Sequence, residues 1–263
     1  LYFYTVFFHQ DYNFFLANCG GYGSFRSEFS AIFSSRLNGI KNNFLLIHHN
    51  YQKPRFWSFF LILIDNLVKY FIKKILFVSS ATMKSVLNNS GLKSSTKGKY
   101  SVIYNGLNQE KKKKKKVLIF KKNKKVINLG MLSRIEKYKG QEDLIKSIEL
   151  LKKEDRKKFH VIFIGRGEKN HLKNIKSYIA QKKLKKHFTF KNYIRKDSIS
   201  ILKNFDIFLS LTRDFEGFGY SIAEAMLSKI PIISTNVGGT KEFLNKKNSN
   251  IVKPRSPENI KEL

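Results

Sequence analysis

The chain has 263 residues, 42% of them hydrophobic, and carries 51 basic against 19 acidic residues for a formal charge of +32. That apolar content suffices for the core of one large or two small domains and excludes a disordered chain. Nine of the basic residues are arginine, the residue type that reads phosphate and base edges bidentately, so the lysine excess points away from nucleic acid as a partner.

The chain opens on an apolar stretch beginning with Leu1 and shows no basic segment followed by an apolar core and cleavage site, so it is expected to be a piece whose start lies upstream. A single cysteine, Cys19, permits neither an internal disulfide nor a thiolate zinc site and fits a reducing cytoplasm. The six histidines lack metal-helix spacing and there is no Asp-x-Asp pair, so no metal site is expected. After "NCGGYGS" (18–24), where the glycines suit a turn, the pattern predicts a helix to about Arg36 and a strand "FLLI" (44–47). "FWSFFLILI" (56–64) is far shorter than the roughly 20 residues of a membrane-spanning helix and is expected to be a buried or interfacial helix. Strand "ILFV" (75–78), a helix over 81–88 and strand "SVIY" (101–104) complete an amino-terminal domain of residues 1–108.

The lysine run Lys111–Lys116 and "KKNKK" (121–125) repel themselves into solvent, which places a linker over 109–125. The second domain, 126–263, alternates regularly. Strand "VINL" (126–129) is followed by a helix from about Gln141, strand "HVIFI" (160–164), a helix over 169–182, strand "FTF" (188–190) and a short helix near 197–203. Strand "DIFLSL" (206–211), a helix over 217–228, strand "IPIIST" (230–235), a short helix near 240 and "IV" (251–252) follow. Strands joined by helices in this rhythm predict an α/β protein of two Rossmann-like lobes, with parallel sheets facing across a cleft and ligands beyond the carboxyl ends of the strands.

"DFEGFGYSIAEAM" (214–226) follows one such strand. On a helix starting near Gly217, residues Phe218, Ile222, Ala225 and Met226 form the core stripe, and Glu224 lies about 120° away among Gly217, Ser221 and Ser228. Glu216 precedes the helix, and the amides of Gly217, Phe218 and Gly219 are then first-turn donors. Donors beside carboxylates suit a hydroxyl-rich, anionic ligand.

"EGFGYSIAEAM…KIPIISTNVGGTKEFL" resembles the donor-site signature of the retaining glycosyltransferases of family 4, which have the GT-B fold. "NLGMLSRIEKYKGQEDLIKSI" (128–148) is similar to the first strand of that family's donor lobe, with its Arg-x4-Lys-Gly element, and "HVIFIGRGE" to its Gly-x-Gly turn. "FKNYIRKDSISILKNFDIFL" matches too, with Asn192 where the family has glycine. The resemblance implies that Arg134 and Lys139 hold the donor's diphosphate, Glu216 the sugar hydroxyls and Glu224 the ribose, with Tyr193 and Ile194 near the base; Glu242 is expected to be structural. A fixed Arg and Lys stabilise the growing charge of a leaving diphosphate, so a divalent metal is dispensable. "FLLIHHNY" resembles the acceptor-lobe strand that ends in a histidine near the reacting sugar; His48 and His49 both qualify, and His49 is favoured.

The resemblance is strongest over 126–254 and looser over 40–108. A strand with a Gly-rich loop is expected before residue 1, and closing helices after Leu263. What it implies is transfer of a sugar from a nucleotide sugar, a substrate rather than a cofactor, to a glycan or lipid-linked acceptor in cell-surface polysaccharide or lipopolysaccharide synthesis. The protein would be cytoplasmic, its basic surface and the aromatic helix at 56–71 touching an anionic membrane. The rival readings are a non-catalytic basic protein of this fold that binds RNA or membrane, and a related sugar-phosphate synthase or phosphorylase.

Overall fold

Six parallel strands in one sheet and four in another carry the fold. The computed structural model describes residues 12–23, 26–53, 60–94, 98–107, 125–192 and 198–263. Nearly all of the lysine-rich segment at 109–125 lies outside the described residues. The chain divides into two compact units: Leu1–Asn105 with Phe215–Phe218 and Gly238–Glu242, and Gly106–Asp214 with Gly219–Val237 and Phe243–Leu263.

In the first unit β1 (Phe14–Cys19), β2 (Asn42–Ile47), β3 (Lys74–Phe77) and β4 (Tyr100–Val102) pair in chain order, all parallel. Their connections are α1 (Arg26–Leu37), α2 (Phe60–Phe71) and α3 (Ser80–Asn89). Ile32, Leu45, Ile75, Phe77 and Val86 build the core. Of the apolar run predicted to form a helix, 56–59 lie outside the described residues and 60–64 open α2, which continues through Asp65, buried because it has partners. Its carboxylate accepts from the Tyr22 hydroxyl at 2.5 Å and from the Gly91 amide at 2.6 Å. Tyr22 is wholly buried, and that burial, with the charge of Asp65, pushes its phenol far above the usual range. No helix among the described residues is long and apolar enough to cross a membrane.

The second unit has strands β5 (Ile127–Leu132), β6 (Phe159–Ile164), β7 (Phe188–Lys191), β8 (Ile207–Ser210), β9 (Ile232–Thr235) and β10 (Asn250–Val252), ordered β10-β9-β8-β5-β6-β7. The helices are α4 (Gln141–Leu150), α5 (Lys153–Arg156), α6 (Lys169–Gln181), α7 (Ser198–Leu202), α8 (Tyr220–Leu227) and α9 (Pro257–Lys261). The apolar continuity of "HVIFI" has its reason here: Val161 and Phe163 enter one core with Leu144 and Ile175, while Ile162 and Ile164 enter another with Phe208 and Ile222. A strand buried on both faces has no place for a polar alternation. The order reverses between β5 and β8, so the carboxyl ends of these two neighbours form the switch point where a doubly wound sheet takes its ligand.

Three histidines are held neutral by burial, which lowers the pKa of His48, His160 and His187 from the ordinary 6.5. The unfolded chain then binds protons first as pH falls, so stability decreases below pH 6.5 until the lowered folded values are passed. Urea denaturation midpoints are accordingly expected to fall between pH 7 and the acid side of about 6, and a midpoint flat over that interval would contradict the assignment.

Candidate donor site and its supports

From the carboxyl end of β5 the chain enters a loop carrying Arg134 and Lys139, and the second unit fixes it from below. Gly140 has φ 77°, and a Cβ there would stand 2.0 Å from the Leu211 carbonyl oxygen, so a glycine is required where the loop settles on the end of β8. Gln141, the first residue of α4, donates from Nε2 to the Arg134 carbonyl oxygen at 2.9 Å and to Ser133 Oγ at 3.2 Å. From the neighbouring strand end, Arg213 donates through Nε and Nη2 to both oxygens of Asp143 at 2.9 and 2.7 Å, and through Nη2 to Glu142 at 3.1 Å. Its Nη1 reaches the Lys137 carbonyl oxygen at 3.1 Å, and its amide the Tyr138 carbonyl oxygen at 2.7 Å. The Gly-x-Gly turn after β6 supports the other side, where Ile135 donates to the Arg166 carbonyl oxygen at 2.8 Å and pairs with Gly167.

On this platform the two cations share one aromatic ring. Lys139 Nζ lies 5.0 Å and the Arg134 guanidinium 5.7 Å from the Tyr138 ring centre, and Arg134 also donates to the Tyr138 hydroxyl and pairs with Glu136 at 3.0 Å. The Arg134 side chain is nevertheless 65% exposed. A cation oriented by a ring face but still open to solvent can meet an incoming polyanion without a rearrangement of its own.

Across β8, Glu224 sits half-buried on α8 and accepts from Ser198 Oγ at 2.5 Å. The helix begins at Tyr220 rather than Gly217, because Gly219 adopts the left-handed conformation at its amino cap, with φ 88°. Of the predicted stripe, Ile222 and Ala225 are buried and Met226 packs against the same core, joined by Ala223, while Phe218, with Gly217, belongs to the loop ahead of the helix. Their amides are therefore not first-turn donors, and those of Ile222 and Ala223 already bond the Gly219 carbonyl oxygen at 3.1 Å.

Glu216 and Gly217 belong to the first unit, and backbone contacts hold them there on two sides. Gly239 donates its amide to the Glu216 carbonyl oxygen at 2.8 Å, and Gly238, with φ 58°, passes so close that a Cβ would lie 2.2 Å from the same oxygen. A Cβ on Gly217 would lie 1.9 Å from the His48 carbonyl oxygen. Just beyond β2, His49 packs edge-on against Phe215, ring centres 5.3 Å apart, with its Nδ1 on Asn50 Oδ1 at 2.5 Å. His48 instead points its Nε2 at Asn18, 3.3 Å away at the end of β1. Glu242 accepts from the Ala81 and Ser80 amides at 2.9 and 3.1 Å and from the Tyr104 hydroxyl at 2.8 Å, binding the amino end of α3.

Residues 109–263 match the family model of glycosyl transferases group 1. The chain belongs to this family. It is 30% identical over 164 residues to an uncharacterized glycosyltransferase of Methanocaldococcus jannaschii, a match covering 61% of this chain and 41% of that protein, so it spans well under half of its curated relative's length. Among solved structures, Anabaena Alr3699/HepE in complex with UDP and glucose superposes with a TM-score of 0.79 at 18% identity, covering 99% of this chain and 69% of the other. The lipopolysaccharide outer core galactosyltransferase WaaB in its apo form gives 0.64 at 14%, covering 99% and 67%. At these identities the likeness is one of fold, and the two parallel sheets of this group 1 glycosyltransferase are those of the α/β GT-B fold.

Set against the sequence expectations, the structure gathers Arg134 and Lys139 on one loop, joins Glu224 to Ser198, and packs the His49 ring on Phe215 and the His48 backbone against Gly217, on either side of Glu216. Tyr193 and Ile194 lie outside the described residues. The supports that sequence reasoning passed over in this family member are Tyr138, Ser198 and Arg213. Tyr138 had a local signal, standing between the two cations in "RIEKYKG"; Ser198 and Arg213 find their partners 26 and 70 residues away and had none.

Proposed function

We propose that this group 1 glycosyltransferase moves a sugar from a nucleoside diphosphate sugar to a hydroxyl acceptor with retention of anomeric configuration. The observation that carries the proposal is the pair Arg134 and Lys139, held over Tyr138 at the switch point of the second sheet. In the proposed reaction the bond from the anomeric carbon to the diphosphate oxygen breaks, its electrons stay on that oxygen, and the two cations meet the charge as it grows. The acceptor oxygen bonds the anomeric carbon on the face being vacated, and its proton passes to the departing phosphate. Glu224 would hold the ribose hydroxyls and Glu216 those of the sugar, with His49 beside the reacting centre. The two cations serve the diphosphate in place of a divalent ion.

HepE, bound to UDP and glucose, supports a nucleotide sugar as the donor, and WaaB, a galactosyltransferase of the lipopolysaccharide outer core, supports an acceptor in cell-surface polysaccharide or lipopolysaccharide synthesis. A cytoplasmic setting is supported by the single cysteine, Cys19, which is free and has no second cysteine to pair with. Peripheral contact with an anionic membrane is supported in the first unit by Leu63 and Tyr70, exposed on α2. Incubation with a panel of nucleotide sugars and simple alcohols, read by NMR at the anomeric carbon, tests the reaction. The proposal predicts release of nucleoside diphosphate with a product of unchanged anomeric configuration; inversion, or no release with any donor, contradicts it.

A further inference from the structure

Helix α6 presents Lys169, Lys173 and Lys176 at i, i+4 and i+7 along one exposed flank, above β7, the edge strand of the second sheet. Between them and Lys185 runs an open groove of about 710 Å³ whose floor is apolar, formed by Leu172, Phe188 and Phe190 among others. No carboxylate lines it. Lys176 Nζ stands 5.4 Å from the Phe190 ring centre, and none of the four lysines is ion-paired among the described residues. Glu168 precedes Lys169 at the start of the helix but does not line the groove, and Glu149 is bound to Lys182 and Tyr178.

We infer that this groove docks the protein on anionic phospholipid. Four unpaired ammonium groups call for anionic phosphate, and lysine meets it as a point charge without the fork geometry that base recognition uses. The apolar floor calls for hydrocarbon in the same ligand. A soluble polyanion brings none, and nucleic acid would bring bases to stack where Phe188 is buried and Phe190 is covered by Lys176. An anionic lipid supplies both groups, headgroup phosphate at the rim beside Lys176 and upper acyl chain along Leu172 and Ala180. The stem of each lysine can lie along the floor while its charge stays at the surface. The inference extends membrane contact to the second unit and does not rest on the transferase reading.

The test is co-sedimentation of the protein with phosphatidylcholine vesicles, with and without phosphatidylglycerol. It compares the wild type with the triple variant Lys173→Glu, Lys176→Glu, Lys185→Glu and with a control of equal charge change on exposed lysines elsewhere, Lys246→Glu, Lys247→Glu, Lys261→Glu. The groove variant should bind phosphatidylglycerol vesicles about 100-fold more weakly, and the control should lose less than about threefold, since the attraction of each lysine fades within a Debye length. Equal losses in the two variants, no loss in the groove variant, or wild-type binding that ignores phosphatidylglycerol overturns the inference. So does tighter binding of the same lysines to polyuridylic acid than to vesicles. Circular dichroism and the thermal unfolding midpoint of the groove variant should match those of the wild type, which confirms its fold and keeps the result apart from the fate of the transferase proposal.

Discussion

Arg213→Ala is expected to lower the unfolding free energy by about 3 kcal/mol and to reduce transfer activity with it. The side chain is 15% exposed and grips a carboxylate, Asp143, that is 5% exposed. Alanine would leave that carboxylate buried and unpaired, and would release the Lys137 carbonyl oxygen as well. Because the cost lies in the stranded charge, removing both partners should cost less than removing one. The pair Arg213→Met with Asp143→Leu is expected to recover most of the loss, by about 2 kcal/mol. Urea denaturation of Arg213→Met, Asp143→Leu and the double variant decides this. Additive losses would mean that the ion pair does not act as a unit. Activity should stay low in the double variant even where stability returns, since the loop carrying Arg134 and Lys139 loses the Arg213 side chain from the Lys137 carbonyl oxygen and keeps only the backbone bond from Arg213 to Tyr138.

The second large effect belongs to the cations themselves. Arg134→Ala and Lys139→Ala are each expected to lower kcat about 100- to 1000-fold, with KM for the donor changing by less than about tenfold. The asymmetry follows from where the charge develops: the departing diphosphate is more negative in the transition state than in the bound donor. Stability should hardly change in Arg134→Ala, because a side chain 65% exposed contributes little to folding. Tyr138→Leu removes the ring that orients both cations and should depress kcat without removing either charge. Steady-state kinetics of the three variants test the arrangement; a loss carried wholly by KM would mean that the cations bind donor and transition state alike.

The order of strands and helices was legible because a parallel sheet buried on both faces writes itself as short apolar runs between helical stripes. "HVIFI" and "FLLI" became β6 and β2 within a residue or two. The acidic motif was legible for a different reason: its glycines and carboxylates are close in sequence. What could not be read was whatever depends on a distant partner. The Arg213 clamp exists only because β5 and β8 are neighbours, and the bond from Ser198 to Glu224 only because α7 comes to lie beside α8. The misplaced start of α8 has a local cause. Phe218 continues an apolar periodicity, but Gly219 turns left-handed and restarts the chain one turn later. Asp65, within an apolar helix, is compensated by a tyrosine 43 residues upstream, beyond the reach of any periodicity argument.

The claim at the centre is that this chain holds a nucleoside diphosphate in the second unit, with Glu224 on the ribose. Calorimetric titration of nucleoside diphosphates into the wild type and Glu224→Ala measures it directly. Binding is expected to weaken about 10- to 100-fold in the variant, the loss of one or two hydrogen bonds to a charged group, while its thermal unfolding in the absence of nucleotide shifts little. Unchanged affinity in Glu224→Ala would contradict the account.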